Sequence, residues 1–194
     1  MKKVGLFFGS FNPIHIGHLI LANYILENTD MTELWFVVSP QNPFKEKKTL
    51  LKDYHRYNMV QLALENYPKM RASNVEFSLP TPSYTTHTLA YLKEKYPENS
   101  FSLIMGEDNL KSLPKWKNFE SLIKNNQIIV YPRISAEKQE DITLNQENIH
   151  RISAPIIELS ATEIRAMIKQ GKNVRPMLPP EVFDFIDGSD FYKG

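Results

Sequence analysis

The sequence predicts an α/β protein built on a doubly wound parallel sheet with helices on both faces. Three observations carry this. Short apolar, partly β-branched runs recur at Val4–Phe8, Leu34–Val38, Phe101–Met105 and Gln127–Tyr131. Segments with helical spacing alternate with them, the pattern of strands buried under helices on both sides. The length, 194 residues, suits one domain with a sizeable core.

In chain order, Val4–Phe8 reads as a buried strand, and HLILANYILEN from His18 has helical spacing at Leu19, Ala22, Ile25 and Leu26. Leu34–Val38 is the second strand. Gln41–Lys52 is lysine-rich, contains Pro43 and follows Pro40, so it reads as a loop, and Tyr54–Glu65 reads as a helix. Asn74–Phe77 reads as a third strand, SLPTPS as a turn and Ser83–Lys95 as a helix. Phe101–Met105, ended by Gly106, is the fourth strand; Asn118–Lys124 is a helix and Gln127–Tyr131 the fifth strand. Residues 132–148 are polar without a periodic signal, the best place for an insertion. Pro155–Leu159 reads as the final strand, Ser160–Gln170 as a helix and Pro180–Ile186 as a last short helix. No internal repeat, low-complexity segment or linker interrupts the chain, so residues 1–194 are expected to form a single domain.

Composition excludes several functions. Net charge is +1, which gives no global basic field for nucleic acid and no acidic tail. With no cysteine, disulfides, thiol catalysis and cysteine-based zinc sites are ruled out. Met1-Lys2-Lys3 and the apolar run after it could pass for a signal peptide, but Gly9 to His18 interrupts the run and no small-residue cleavage site follows. Runs such as LWFVV and QIIVY fall far short of the ~20 residues that span a bilayer. A cytoplasmic protein without membrane or nucleic-acid partners is expected.

The segment after the first strand, GSFNPIHIGHL (residues 9–19), asks more of its residues than a connection does. Gly9 lets the backbone turn and approach a ligand, and Pro13 stiffens the loop. The helix that follows presents unpaired N–H groups and a positive dipole end, which favour an anion. His15 and His18, three residues apart, face the same side of its first turn, where imidazoles donate to phosphate oxygens or become cationic beside them. On spacing alone, both could equally be loop and capping residues. A zinc site is disfavoured without cysteines or H-E-x-x-H, and a dinucleotide loop lacks G-x-G-x-x-G.

GSFNPIHIGHL resembles the signature G-x-F-x-P-x-H-x-G-H-L of the HxGH nucleotidyltransferases; H-x-G-H alone is shared with class I aminoacyl-tRNA synthetases. The resemblance implies a Rossmann-like sheet, catalytic roles for His15 and His18, and ATP contacts from Gly9, Ser10, Phe11 and both histidines. Near the other end, ELSATEIRAMI places Ser160 and Glu163 in a capping box, with Arg165 further along the helix. By itself this is also a capped surface helix with an exposed arginine. It resembles the I-S-S-T-x-I-R motif of the same family, with Leu159 and Ala161 in place of its Ile and second Ser. That implies triphosphate binding by Ser160, Thr162 and Arg165, with Arg165 catalytic.

Three further segments resemble the bacterial nicotinate-nucleotide adenylyltransferases. Pro43, Lys45, Arg56 and Met59 fit their P-H-K…R-x-x-M pattern, with Phe44 in place of His. PSYTTHTL fits S-Y-T-x-D-T-L, with His87 for Asp, and MGEDNLKSLPKWKNFESL keeps Gly106, Asp108, Asn109 and Trp116. Physically, Asp108 can accept from ribose hydroxyls or cap a helix, Trp116 can stack on a pyridine ring or pack in the core, and amides at Tyr84 and Thr85 can meet a carboxylate or simply start a helix. The resemblance implies ATP contacts from Gly106 and Asp108, and mononucleotide contacts from Asn12, Lys45, Tyr84, Thr85 and Trp116. It further implies transfer of AMP from ATP to nicotinate mononucleotide, with release of pyrophosphate. Mg2+ would be held mainly through ATP phosphates with no metal site of the protein's own, and a homo-oligomer is compatible. Alternatives are nicotinamide-mononucleotide or phosphopantetheine adenylyltransferase, and, in another class, an RNA-binding or aminoacylation-related module. The last lacks support from any K-M-S-K-S or basic stripe.

Overall fold

In a computed structural model that describes residues 1–40, 50–133 and 146–194, six strands form one parallel sheet. They are β1 (Lys2–Gly9), β2 (Glu33–Val38), β3 (Met70–Ser73), β4 (Asn99–Gly106), β5 (Gln127–Tyr131) and β6 (Ile149–Arg151). Their order is β3-β2-β1-β4-β5-β6, so the direction of winding reverses between β1 and β4. In register, Val4 of β1 lies opposite Glu33 on one side and Phe101 on the other. The helices are α1 (Ile16–Asn28), α2 (Asp53–Leu64), α3 (Thr85–Lys95), α4 (Glu107–Ser112), α5 (Phe119–Asn125), α6 (Ala161–Lys169) and α7 (Pro180–Asp187). The doubly wound, Rossmann-like sheet expected from the sequence is the one observed.

The alternation of strand side chains builds two cores. Phe7, Phe36, Ile104 and Ile129 point to one face, where they meet Ala22 and Ile25 of α1, Met59 and Ala63 of α2, and Ile164, Val182 and Ile186 of α6 and α7. Leu6, Trp35, Val37, Leu103 and Val130 point to the other, against Leu89 and Leu92 of α3, Leu110 of α4 and Leu122 of α5. In α2, Arg56, Met59, Val60, Ala63 and Leu64 are the buried positions, a spacing of three and four that lays one helical face on the sheet. Because the central strands are covered on both sides, their sequences read as unbroken apolar runs.

Two expected strands are corrected. The third is Met70–Ser73, and Val75–Ser78 is a turn of 3-10 helix. The run at 74–77 misleads because Glu76 is the buried side chain there while Phe77 is 36% exposed, the reverse of what hydrophobicity suggests. The sixth strand is Ile149–Arg151, paired with β5, not Pro155–Leu159, where Ile156 is exposed. Both true strands lie at sheet edges and bury little: His150 and Arg151 are exposed, and so is Arg71 in β3. The short helix α4 directly after Gly106 was not expected. Among the described residues no helix is long and apolar enough to cross a membrane.

Candidate active site

Ligands of doubly wound sheets bind beyond the carboxyl ends of the strands where the order reverses. Here that is the crevice between the ends of β1 and β4. Gly9 closes β1, and a Cβ on it would come within 2.8 Å of the Phe11 ring. Its missing side chain therefore makes room for the Phe11 ring at the end of the strand. Phe11 itself adopts φ 45° and is buried edge-on to Phe7 and His18, at centroid distances of 6.0 and 5.2 Å. The loop is braced from below by Arg56, which is wholly buried. Its guanidinium donates to the carbonyls of Ser10, Ser39, Leu51 and Pro40 and pairs with Asp53.

The two histidines open α1. His15 is the N-cap and His18 the third helical residue, and their rings stack at 3.7 Å with 29° between planes. The His15 backbone N–H donates to His18 Nδ1 at 3.2 Å. A backbone N–H can only donate, so Nδ1 is unprotonated and a neutral His18 carries its proton on Nε2. His15 is 6% exposed, and its Nδ1 is buried with no hydrogen-bond partner among the described residues. Burial, with the nearby charge of Arg133, holds its pKa down to about 4 against 6.5 for an open histidine. The free protein thus keeps His15 neutral at pH 7.

That depression sets a pH dependence. Below 6.5 the unfolded chain takes up the proton that folded His15 refuses, so its contribution is full above pH 6.5 and is lost as pH falls towards 4. The shift is equivalent to about 3 kcal/mol. Asp30 and Glu33, held low mainly by hydrogen bonds from Lys3 and Lys2, act at lower pH. Glu76, whose carboxyl is pushed up by burial, acts in the opposite sense. The expected result is that His15→Gln flattens the fall in urea midpoint between pH 6.5 and 4 relative to wild type. Parallel curves for the two proteins would assign the pH dependence elsewhere.

Arg165 reaches the same loop from α6. Its Nη1 donates to the Asn12 carbonyl at 2.8 Å and its Nη2 to Thr162 Oγ1 at 3.4 Å. Ser160 is the N-cap of α6, and its hydroxyl accepts from the Glu163 N–H at 3.1 Å, as the S-x-x-E spacing predicts. Asn12 is buried at 4% exposure, and its Oδ1 accepts from the Leu51 N–H and from the Tyr192 hydroxyl.

Across the crevice, Gly106 caps α4. A Cβ there would lie 2.4 Å from Asp108 Oδ1, so the glycine lets the carboxylate fold back over the strand end. Asp108 is exposed and ion-paired with Arg133 at 3.7 Å. Arg133, just past β5, is a charge in this site that the sequence reading missed. Its only signal was a position two residues beyond the end of a parallel strand.

A second group forms around the start of α3. Tyr84 is its N-cap and Thr85 its first residue, and Thr86 Oγ1 is buried without a partner among the described residues. The Lys117 ammonium sits 4.5 Å from the centre of the Tyr84 ring, which brings the segment carrying Trp116 to this helix end. Trp116 is half-buried against the core beneath α4 and α5 and donates from Nε1 to Ser112 Oγ at 3.3 Å. His87, the departure from the family pattern, is exposed and edge-on to Tyr84. Glu76, 2% exposed, accepts from Thr88 Oγ1 at 2.7 Å and pins α3 from inside. The Ser39 N–H donates to the Gly9 carbonyl at 2.9 Å. Lys45 and Phe44 lie outside the described residues.

Residues 6–167 match the family model described as cytidylyltransferase-like. The chain is similar to the "Probable nicotinate-nucleotide adenylyltransferase" of Flavobacterium psychrophilum, 56% identical over 191 residues that cover 98% of this chain and 99% of that one. The protein of the same name in Bacteroides fragilis is 48% identical, with 93% of this chain and 89% of its own covered. Among solved structures, the Plasmodium falciparum nicotinic acid mononucleotide adenylyltransferase complexed with NaAD shares the fold at a TM-score of 0.83. That match covers 99% of this chain and 98% of its own at 22% identity.

Proposed function

Since the chain belongs to the cytidylyltransferase-like family and within it to the nicotinate-nucleotide adenylyltransferases, we propose that His15, His18 and Arg165 carry its transfer of AMP from ATP to nicotinate mononucleotide. The reaction yields nicotinate adenine dinucleotide and pyrophosphate, a step of NAD biosynthesis. The observation that supports this site best is the stacked histidine pair at a helix start, with Arg165 clamped to the same loop through Asn12.

A phosphate oxygen of the mononucleotide attacks the α-phosphorus of ATP. A new P–O bond forms as the bond from the α-phosphorus to the bridging oxygen breaks, and pyrophosphate leaves with the electron pair. The attacking phosphate is already anionic, so no side chain need act as nucleophile or base. The protein's part is positioning and charge stabilisation. His18 offers its Nε2–H, and neutral His15 a second uncharged hydrogen-bonding ring, to the transferring group. Arg165 takes the leaving pyrophosphate in a planar two-point grip, with Thr162 and Ser160 beside it. Gly9, Ser10 and Phe11 shape the floor, and Gly106 and Asp108 face the ribose of ATP. Asn12, Tyr84, Thr85 and Trp116 take the mononucleotide, together with Lys45.

Magnesium enters with ATP as part of that substrate. The ion would be held mainly by the ATP phosphates and water. Bound so, it would offset part of the triphosphate's charge.

Pyrophosphate release from ATP, measured with each acceptor in turn, tests the assignment. The expected result is rapid release with nicotinate mononucleotide, slower release with nicotinamide mononucleotide, and background release with phosphopantetheine. Release driven by phosphopantetheine and not by nicotinate mononucleotide would overturn it.

A further inference from the structure

We infer that Tyr192 is a positioning residue for the transfer reaction, holding Asn12 and, through it, Arg165. The inference rests on the assignment of Asn12 and Arg165 to the two substrates. Beyond α7 the Ser189 hydroxyl donates to the Ile186 carbonyl at 2.7 Å and accepts from the Phe191 N–H at 3.2 Å, which turns the chain back. The Phe191 ring then packs on His55 of α2 and Phe185 of α7, at centroid distances of 4.7 and 5.7 Å. Tyr192 follows with φ 66°, a left-handed conformation that a non-glycine residue holds only where its surroundings enforce it. That conformation delivers its hydroxyl to Asn12 Oδ1 at 2.8 Å, a contact between residues 180 positions apart.

The contact is directional. Burial pushes the Tyr192 phenol up, and the charges of Arg165 and Arg56 offset this only in part, so the hydroxyl keeps its proton and donates. Asn12 Oδ1 also accepts from the Leu51 N–H at 3.3 Å, so a carbonyl oxygen with two lone pairs has two donors. The backbone carbonyl of the same residue accepts from Arg165 Nη1 at 2.8 Å. One asparagine therefore links the mononucleotide side of the crevice to the guanidinium proposed for the triphosphate, and Tyr192 fixes where that asparagine sits. A two-point grip on phosphate depends on the plane and aim of the guanidinium, and about 1 Å of misplacement can cost on the order of a hundredfold in rate.

The test is Tyr192→Phe, which keeps the ring and removes only the donor, assayed alone and combined with Arg165→Lys. Steady-state kinetics for both substrates are read beside thermal melts. The expected result is a fall of about tenfold in kcat/KM for ATP, the effect of one positioned hydrogen bond, with Tm within about 3 °C of wild type. In the Arg165→Lys background the same change is expected to cost less than about threefold, because the two act on one geometry. Kinetics within twofold of wild type, or fully additive losses in the double variant, would reduce Tyr192 to a packing residue and overturn the inference. Arg165→Lys with unchanged ATP kinetics would instead remove the phosphate assignment beneath it, an outcome told apart by the single variant alone.

Discussion

His18→Ala is expected to lower kcat by about 10²–10³-fold, the usual cost of removing one preorganised donor to a charge-developing group. The fold should survive. The side chain's structural role is to accept the His15 N–H at 3.2 Å, and losing a helix-start contact of this kind costs about 1 kcal/mol, a few degrees in Tm. His18→Asn separates the two roles. Its amide oxygen can still accept that N–H, but it places no donor where Nε2 stands. Both variants should therefore be slow, with the asparagine variant the more stable. Turnover near wild type in a folded His18→Ala protein would remove the residue from the chemistry.

Arg56→Ala is expected to have the largest effect on stability, a loss of about 3–5 kcal/mol. Arg56 is wholly buried, and four backbone carbonyls and Asp53 take its hydrogen bonds. Each buried acceptor left without a donor costs about 1–3 kcal/mol, not additively. For a chain of this size that is a fall of about 10 °C or more in Tm. Arg56→Lys should rescue little, because one ammonium cannot spread donors over carbonyls from three segments. Since two of those carbonyls, Ser10 and Ser39, border the loop proposed for catalysis, activity should fall with stability. A melting curve close to wild type for Arg56→Ala would contradict the brace.

What the sequence makes legible follows from burial. The strands β1, β2, β4 and β5 are covered on both faces, so their apolar runs stand out. The edge strands β3 and β6 each set one buried apolar residue, Met70 or Ile149, beside an exposed polar one, Arg71 or His150. Such a strand has no composition to read, and in both cases a neighbouring apolar run drew the assignment. Glu76 inverts the rule, since its carboxyl turns inward to the Thr88 hydroxyl and leaves Phe77 outside.

The site divides in the same way. His15 and His18 are three residues apart on one helix turn, so their juxtaposition is a local consequence of spacing. The cap made by Ser160 is local too. Arg133 and Tyr192 reach the site from the ends of other elements, and only the fold brings Tyr192 to Asn12. Nor does spacing reveal that Gly9 serves the Phe11 ring, or that burial keeps His15 neutral.

The mechanism stands on direct transfer: the mononucleotide phosphate is the nucleophile, and no adenylylated side chain forms. Exchange of labelled pyrophosphate into ATP reads this directly. With enzyme, magnesium and ATP but no mononucleotide, no label should enter ATP, because the α-phosphorus has nowhere to go. Adding nicotinate mononucleotide should start exchange through reversal of the complete reaction, and His18→Ala should slow it in step with kcat. Label entering ATP in the absence of any mononucleotide would mean a covalent AMP–protein intermediate and would contradict direct transfer at the histidine–arginine site.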